Sequence, residues 1–253
     1  MTQQDYKDQI VWIIGASSGI GAALAQELSQ RGAILAVSAR SGEKLEALKN
    51  DLGPQHQAFT FDTADADATS RTAQEVQSAF RKIDRVIFLA AAYTPMQLNA
   101  LDLAATRQMI DINLMGAFNL LHAVLPILKQ QTTRPQLALC GSVAGYVGLP
   151  GGQPYSATKA GIINLAETLH SEHSRDIDIK LISPGFVRTP LTDKNDFKMP
   201  MMIEPEQAAK AIAEGLLKKS FEIHFPRKFT LFLKLLQLLP YGIALPLLTK
   251  IKP

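Results

Sequence analysis

Five apolar residues followed at once by a glycine-rich turn constrain this chain more than any other feature. Ile10-Val11-Trp12-Ile13-Ile14 has the length and composition of a buried strand. Gly15-Ala16-Ser17-Ser18-Gly19-Ile20-Gly21 follows, and Ala22 to Leu28 reads as a helix. Strand, glycine turn and helix in that order open a βαβ unit that can hold a nucleotide. Gly15 permits a tight turn off the strand, Gly19 removes a side chain where a phosphate approaches backbone, and Gly21 lets helix and strand pack closely. The helix N-terminus then offers free N–H groups and partial positive charge to a pyrophosphate. The spacing G-x-x-x-G-x-G differs from the commoner G-x-G-x-x-G, and a glycine triplet also serves purely structural turns. Its place between a strand and a helix is what points to a ligand.

The rest of the chain keeps the same alternation. Ala33–Ser38 is a second strand, Ser41–Asp51 a helix, Gln57–Phe61 a third strand, 65–81 a helix and Asp84–Ala90 a fourth strand. Leu101–Lys129 is one long helix with a kink expected at Pro126. Leu137–Cys140, a helix over Tyr155–His173, a strand over Ile177–Ile182 stopped by Pro184-Gly185, a helix over Glu204–Lys218 and a short strand Phe221–His224 complete the series. Strands alternating with helices predict an α/β fold: a doubly wound, mainly parallel seven-stranded sheet flanked by helices on both faces. No repeat or linker divides residues 1–226, so one domain is expected there, with 227–253 as a C-terminal extension.

Composition narrows the class. The 253 residues are 47% hydrophobic, enough for a full core. The single cysteine, Cys140, excludes an intrachain disulfide. His170 and His173 stand at i, i+3 around Glu172, a pattern expected for a solvated helix face, so no metal is expected. Residues 1–9 are polar and lack the basic-then-apolar pattern of a signal peptide, so a cytoplasmic or membrane-associated location is expected. Net charge is +3 but uneven: from Lys218 to Pro253 there are seven Lys/Arg and one acid, Glu222. No basic stripe is interleaved with aromatics, so nucleic acid is not an expected partner.

Two positions bear on chemistry. Ser38-Ala39-Arg40-Ser41 ends the second strand, where a βαβ unit meets the adenosine ribose; an acid there would bond the 2′-OH, but the residue present is Arg40. Arginine pairs with a 2′-phosphate, which favours NADP(H) over NAD(H); alternatively Arg40 simply starts the next helix with its head in water. Tyr155 and Lys159 stand at i, i+4 on a helix, so hydroxyl and ammonium can converge, and a nearby cation lowers a phenol pKa toward the range where it exchanges protons.

Taken in order, these motifs resemble the short-chain dehydrogenase/reductase family, in its single-domain form with a Rossmann-type fold, from about Ile10 to about Phe225. The resemblance implies a nicotinamide cofactor held by Gly15, Ser17, Ser18, Gly19, Ile20, Gly21, Ser38, Arg40, Asp62, Thr63, Ala90 and Ala91, with Asp62 bonding the adenine amino group. It implies that Pro184, Gly185, Val187 and Thr189 hold the nicotinamide carboxamide. It implies catalysis by Asn113, Ser142, Tyr155 and Lys159. Tyr155 exchanges the proton, Lys159 lowers its pKa and bonds the ribose, Ser142 polarises the substrate oxygen, and Asn113 positions a water. Left to local chemistry, Ser142 could instead cap a turn and Asn113 could be a structural polar residue. A homodimer or homotetramer through the two long helices is implied as well. Ala144, Tyr146, Leu149 and Phe186, with Ser142 and Tyr155, are the expected walls of a substrate pocket.

One departure stands out. Where the family carries Asn-Asn-Ala-Gly after the fourth strand, this chain has Phe88-Leu89-Ala90-Ala91, so the bonding that steadies that loop must come from elsewhere. The extension, Phe229 to Leu239, has one narrow polar stripe and is broken by Pro240, Gly242 and Pro246. It can pack over the pocket or a sister subunit, lie in a membrane interface, or, least in keeping with Lys234 and two prolines, span one. The function expected is NADP(H)-dependent interconversion of a carbonyl and a secondary alcohol, on a substrate that could be hydrophobic. The alternative is an NADP-binding regulatory or interaction protein with vestigial activity.

Overall fold

A computed structural model describes residues 5–148, 151–197 and 199–249. The strands are β1 (Ile10–Ile14), β2 (Ile34–Ala39), β3 (Gln57–Thr60), β4 (Arg85–Phe88), β5 (Gln136–Cys140), β6 (Asp178–Pro184) and β7 (Glu222–Phe225). They form one seven-stranded sheet in the order β3-β2-β1-β4-β5-β6-β7, and every pairing is parallel. The helices are α1 (Gly19–Gln30), α2 (Gly42–Leu52), α3 (Ala66–Phe80), α4 (Leu103–Ile110), α5 (Gly116–Lys129), α6 (Tyr155–His173), α7 (Pro205–Leu216), α8 (Arg227–Leu238) and α9 (Tyr241–Leu248).

The unbroken apolar run of β1 now has its cause. Val11 and Ile13 point into a core shared with Leu24 and Leu28 of α1 and Ala208 and Ile212 of α7. Trp12 and Ile14 point the other way, toward Val76 of α3, Leu120 and Val124 of α5 and Ile162 of α6. A strand covered on both faces cannot alternate with polar residues, because either face would then carry unpaired polar groups into the core.

Three expectations are corrected. The run 101–129 is not one helix kinked at Pro126: α4 and α5 are joined by a π turn over Asp111–Met115, and Pro126 sits within α5. The extra residue of a π turn re-aims a side chain, here Asn113. Pro184 does not stop the sixth strand early but ends it, paired with Phe225, because a proline at the last position forfeits no needed ladder bond; Gly185 N–H donates to Phe225 O at 2.7 Å in the next step. Residues after Pro240 are helical despite Gly242 and Pro246. The stretch Leu103–Lys129 is apolar and long enough to cross a membrane by length and composition alone. In this fold Leu120, Leu121, Val124 and Leu128 are buried beneath the sheet, which makes it a core element.

Candidate active site

A cleft of about 460 Å³ opens where the strand order reverses between β1 and β4. Its walls are the turn from Gly15 to Gly21, Arg40 and Ser41 after β2, Phe61 and Thr63 after β3, residues 89–94 after β4, and Thr189–Leu191 after β6. All of these are C-terminal ends of parallel strands, so the fold gathers distant loops at one edge.

The glycine turn fits a cofactor's pyrophosphate. Gly15 adopts φ +96°, and a Cβ there would lie 2.5 Å from Ala90 N; at Gly21 it would lie 2.1 Å from Gly15 O. These two glycines allow turn, helix and the loop after β4 to close on one another. At Gly19, φ +53°, a Cβ would stand 2.8 Å from the Thr189 methyl, so the glycine keeps the passage between the turn and the 189–191 wall open. Ser18 starts α1 without capping it through its side chain. The first-turn N–H groups therefore stay available to an anion.

Tyr155, Lys159 and Ser142 come together beside this cleft, while Asn113 bonds other partners. Tyr155 is the first residue of α6 and Lys159 lies one turn on, its Nζ 5.6 Å from the Tyr155 ring centre. Ser142 follows β5; its Oγ accepts from Ala144 N–H at 3.1 Å, which leaves the hydroxyl proton to be donated elsewhere. Ser142 thus both caps the turn and faces the Tyr155 phenol. Asn113 is fully buried. Its Nδ2 donates to Ala92 O at 3.0 Å and to Thr158 Oγ1 at 3.1 Å, and its Oδ1 accepts from Ala92 N–H at 2.7 Å.

Burial pushes the Tyr155 phenol above its usual pKa, with Cys140 and Tyr93 acting the same way and Ser142 opposing. Lys159 is itself held below the ordinary lysine range by burial, and its ammonium donates to Cys140 O at 2.7 Å. In this geometry the Lys159 ammonium is bonded to the end of β5 and stands beside the Tyr155 ring.

Several expected contacts lie elsewhere. Ser38 is buried and accepts from the Trp12 indole N–H at 2.9 Å; only its carbonyl serves the site, holding Gly15 and Ala16 N–H at 2.7 and 3.0 Å. Asp62 stands between the lining residues Phe61 and Thr63, 3.9 Å from Arg40, with one oxygen taken by Ala64 N–H at 3.0 Å. Pro184 and Gly185 are tied to β7, and Val187 is buried and bridged to Ile203, so of that segment only Thr189 faces the cleft. The Tyr146 hydroxyl donates to Glu222, which also binds Lys234. Phe186 meets Phe197 edge-on at 5.9 Å and Phe229 at a tilt at 5.6 Å. Ala144 is partly buried in the turn after Ser142, and Leu149 falls outside the described residues.

Sequence reasoning missed Tyr93. Its ring meets Tyr155 edge-on at 5.1 Å, its hydroxyl donates to Asn195 at 2.7 Å, and Lys194 Nζ donates to its carbonyl at 2.7 Å. Its place directly after Ala90-Ala91-Ala92, at the sheet's switch point, was the available signal. Lys194 and Asn195 lie in a loop with no periodic pattern to mark them.

Comparison with known proteins follows this geometry. The family profile described as short chain dehydrogenase matches residues 9–199. An uncharacterized oxidoreductase of Myxococcus xanthus is 30% identical over 95% of both chains. A 3-dehydrosphinganine reductase of Arabidopsis thaliana is 33% identical over 86% of this chain and 71% of that one. A 3-oxoacyl-[acyl-carrier-protein] reductase of Bos taurus is 33% identical over 73% of this chain and 78% of that one. A crystal structure of a short chain dehydrogenase/reductase from Burkholderia phymatum in complex with NAD superposes with a TM-score of 0.84 over 93% of this chain and 94% of that one, at 19% identity.

Proposed function

The chain belongs to the short-chain dehydrogenase/reductase family, and from that premise we propose that it interconverts a carbonyl and a secondary alcohol on an apolar substrate, using NADP(H). It is an oxidoreductase acting on CH–OH groups, and its fold indicates a nicotinamide cofactor. The observation that carries the proposal is Tyr155 with Lys159 on one helical turn, facing Ser142 beside the cleft.

A nicotinamide bound in that cleft supplies or accepts the hydride. Tyr155 hands its phenolic proton to the carbonyl oxygen during reduction and takes it back during oxidation; its raised pKa keeps that proton in place at neutral pH. Ser142, its Oγ pinned by Ala144 N–H, donates its hydroxyl proton to the same substrate oxygen. Lys159 holds the end of β5 through Cys140 O and stands ready behind the tyrosine ring. Arg40 lines the cleft with its guanidinium half exposed, which supports pairing with a 2′-phosphate. An apolar substrate is supported by the cluster of Phe186, Phe197 and Phe229 and by the chemistry named for the Arabidopsis thaliana and Bos taurus relatives. Exposed Ile110, Met115 and Phe118 around the π turn offer a face for a second copy, in keeping with a homo-oligomer.

The test is a panel of carbonyls and alcohols from polar to long-chain, followed by NADPH absorbance. The wild type turns over at least one apolar member. Tyr155→Phe loses about a hundredfold or more in rate while its NADPH affinity is retained. Equal turnover by the variant would overturn the proposal.

A further inference from the structure

Among the described residues, the C-terminal extension has two apolar sides and only one of them is covered. On α8, Leu233 and Leu236 turn inward onto Val143 and Tyr146, joined by Leu248 of α9. The other side of α8 carries Leu231, Phe232, Leu235 and Leu238, from 54% to 81% exposed, and α9 continues it with Ile243 and Leu245. Eight of the fifteen large hydrophobic residues exposed on the described surface fall within Leu231–Leu247. A concentration of that kind in so short a stretch is not the ordinary scatter of single surface hydrophobes.

The exposed charge of the chain from Lys218 onward has one sign. Arg227 and Lys228 are exposed in the first turn of α8, and Lys218 and Lys219 are exposed just before β7. From Lys218 to the end of the chain the only acid is Glu222, and it is spent internally. Its carboxylate accepts from the Tyr146 hydroxyl and the Lys234 ammonium. Burial pushes the Glu222 carboxyl up, but the bonds from Lys234 and Tyr146 outweigh it and keep it ionised.

We propose that α8 and α9 form a docking face for an anionic lipid bilayer, with the outward Leu and Phe side chains entering the acyl region and the Lys and Arg residues meeting the phosphate headgroups. Apolar area and basic rim are both answered by that one surface. A second copy of the chain on the same face would answer only the first, since a twofold axis would bring like charges together with no exposed acid on the extension to meet them. In the docked arrangement α8 lies between the bilayer and the turn Val143–Gly145 that follows Ser142.

Binding of the full chain, without cofactor or substrate, is measured by co-sedimentation with vesicles of equal parts phosphatidylcholine and phosphatidylglycerol, and with vesicles of phosphatidylcholine alone. Failure here is therefore separate from failure of the proposed reaction. The protein pellets with the anionic vesicles, and added salt or neutral vesicles weaken this. Phe232→Ser with Leu235→Ser, and separately Arg227→Glu with Lys228→Glu, each cut binding at least about tenfold. Both variants keep the wild-type thermal unfolding, because these side chains are exposed. Absence of pelleting with anionic vesicles, or unchanged binding by the Phe232/Leu235 variant, overturns the proposal. So does an oligomer that this variant splits in a chain that does not bind vesicles, which would assign the face to a second copy.

Discussion

Asn113 closes both backbone groups of Ala92, accepting from its N–H at 2.7 Å and donating to its carbonyl at 3.0 Å. Ala92 belongs to the loop after β4, directly after Phe88-Leu89-Ala90-Ala91, where the family resemblance implies Asn-Asn-Ala-Gly. The chain lacks those asparagines, and this loop is held instead from the π turn at Asp111–Met115. Leu89 N–H adds a further bond to Ile14 O at 2.8 Å, so the loop stays stitched to β1 as it enters the cleft.

Replacing Asn113 by Ala leaves the buried N–H and carbonyl of Ala92 without that partner and removes the bond to Thr158. The expected cost is about 3 kcal/mol of stability, read from urea unfolding. NADPH affinity should fall with it, since Ala92 and Tyr93 line the cleft. An unchanged midpoint and affinity would show that the loop is held by its other bonds.

Arg40 is the residue on which the NADP(H) preference rests. Arg40→Ala is expected to weaken NADPH by about tenfold to a hundredfold, the worth of one charge-assisted bond, and to leave NADH nearly unchanged. Titration of both nucleotides by fluorescence decides it; parallel losses would mean that Arg40 serves the structure of the cleft rather than a 2′-phosphate.

His56 supplies a pH dependence far from the cleft. Its Nδ1 accepts the Leu35 N–H at 3.0 Å, which puts the ring proton on Nε2, 3.0 Å from Ser29 Oγ. Burial holds the imidazole below its usual pKa. The unfolded chain therefore binds a proton that the folded one resists, so stability is in place above the unfolded pKa of about 6.5 and is lost as pH falls below it. The melting temperature should drop between about pH 7 and about pH 5, and His56→Gln should melt lower at neutral pH with a flatter acid slope. Parallel slopes for the two proteins would remove His56 as the cause.

The parts legible in the sequence are those written over a few consecutive residues. The buried run Ile10–Ile14, the glycines at 15, 19 and 21 and the i, i+4 pair Tyr155 and Lys159 each carry a period or spacing that the backbone itself imposes. The structure places all of them within a residue or two of expectation. The π turn was not legible, because Pro126 is a visible helix irregularity and Asp111–Met115 is not. Nor was the partner of Tyr146 legible, since its hydroxyl bonds a residue 76 positions away.

By itself, then, the sequence determined a parallel sheet covered on both faces, a glycine turn after its first strand and a tyrosine–lysine pair on one helix face. Tertiary structure alone decided which side chains remain free to act there. Ser38 went to Trp12, Tyr146 to Glu222 and Lys159 to Cys140 O, while Tyr93 entered the cleft. Local periodicity states which face a residue occupies. Only the packing of strands far apart in the chain states which polar partner reaches it first, and a buried donor or acceptor takes the partner that satisfies it.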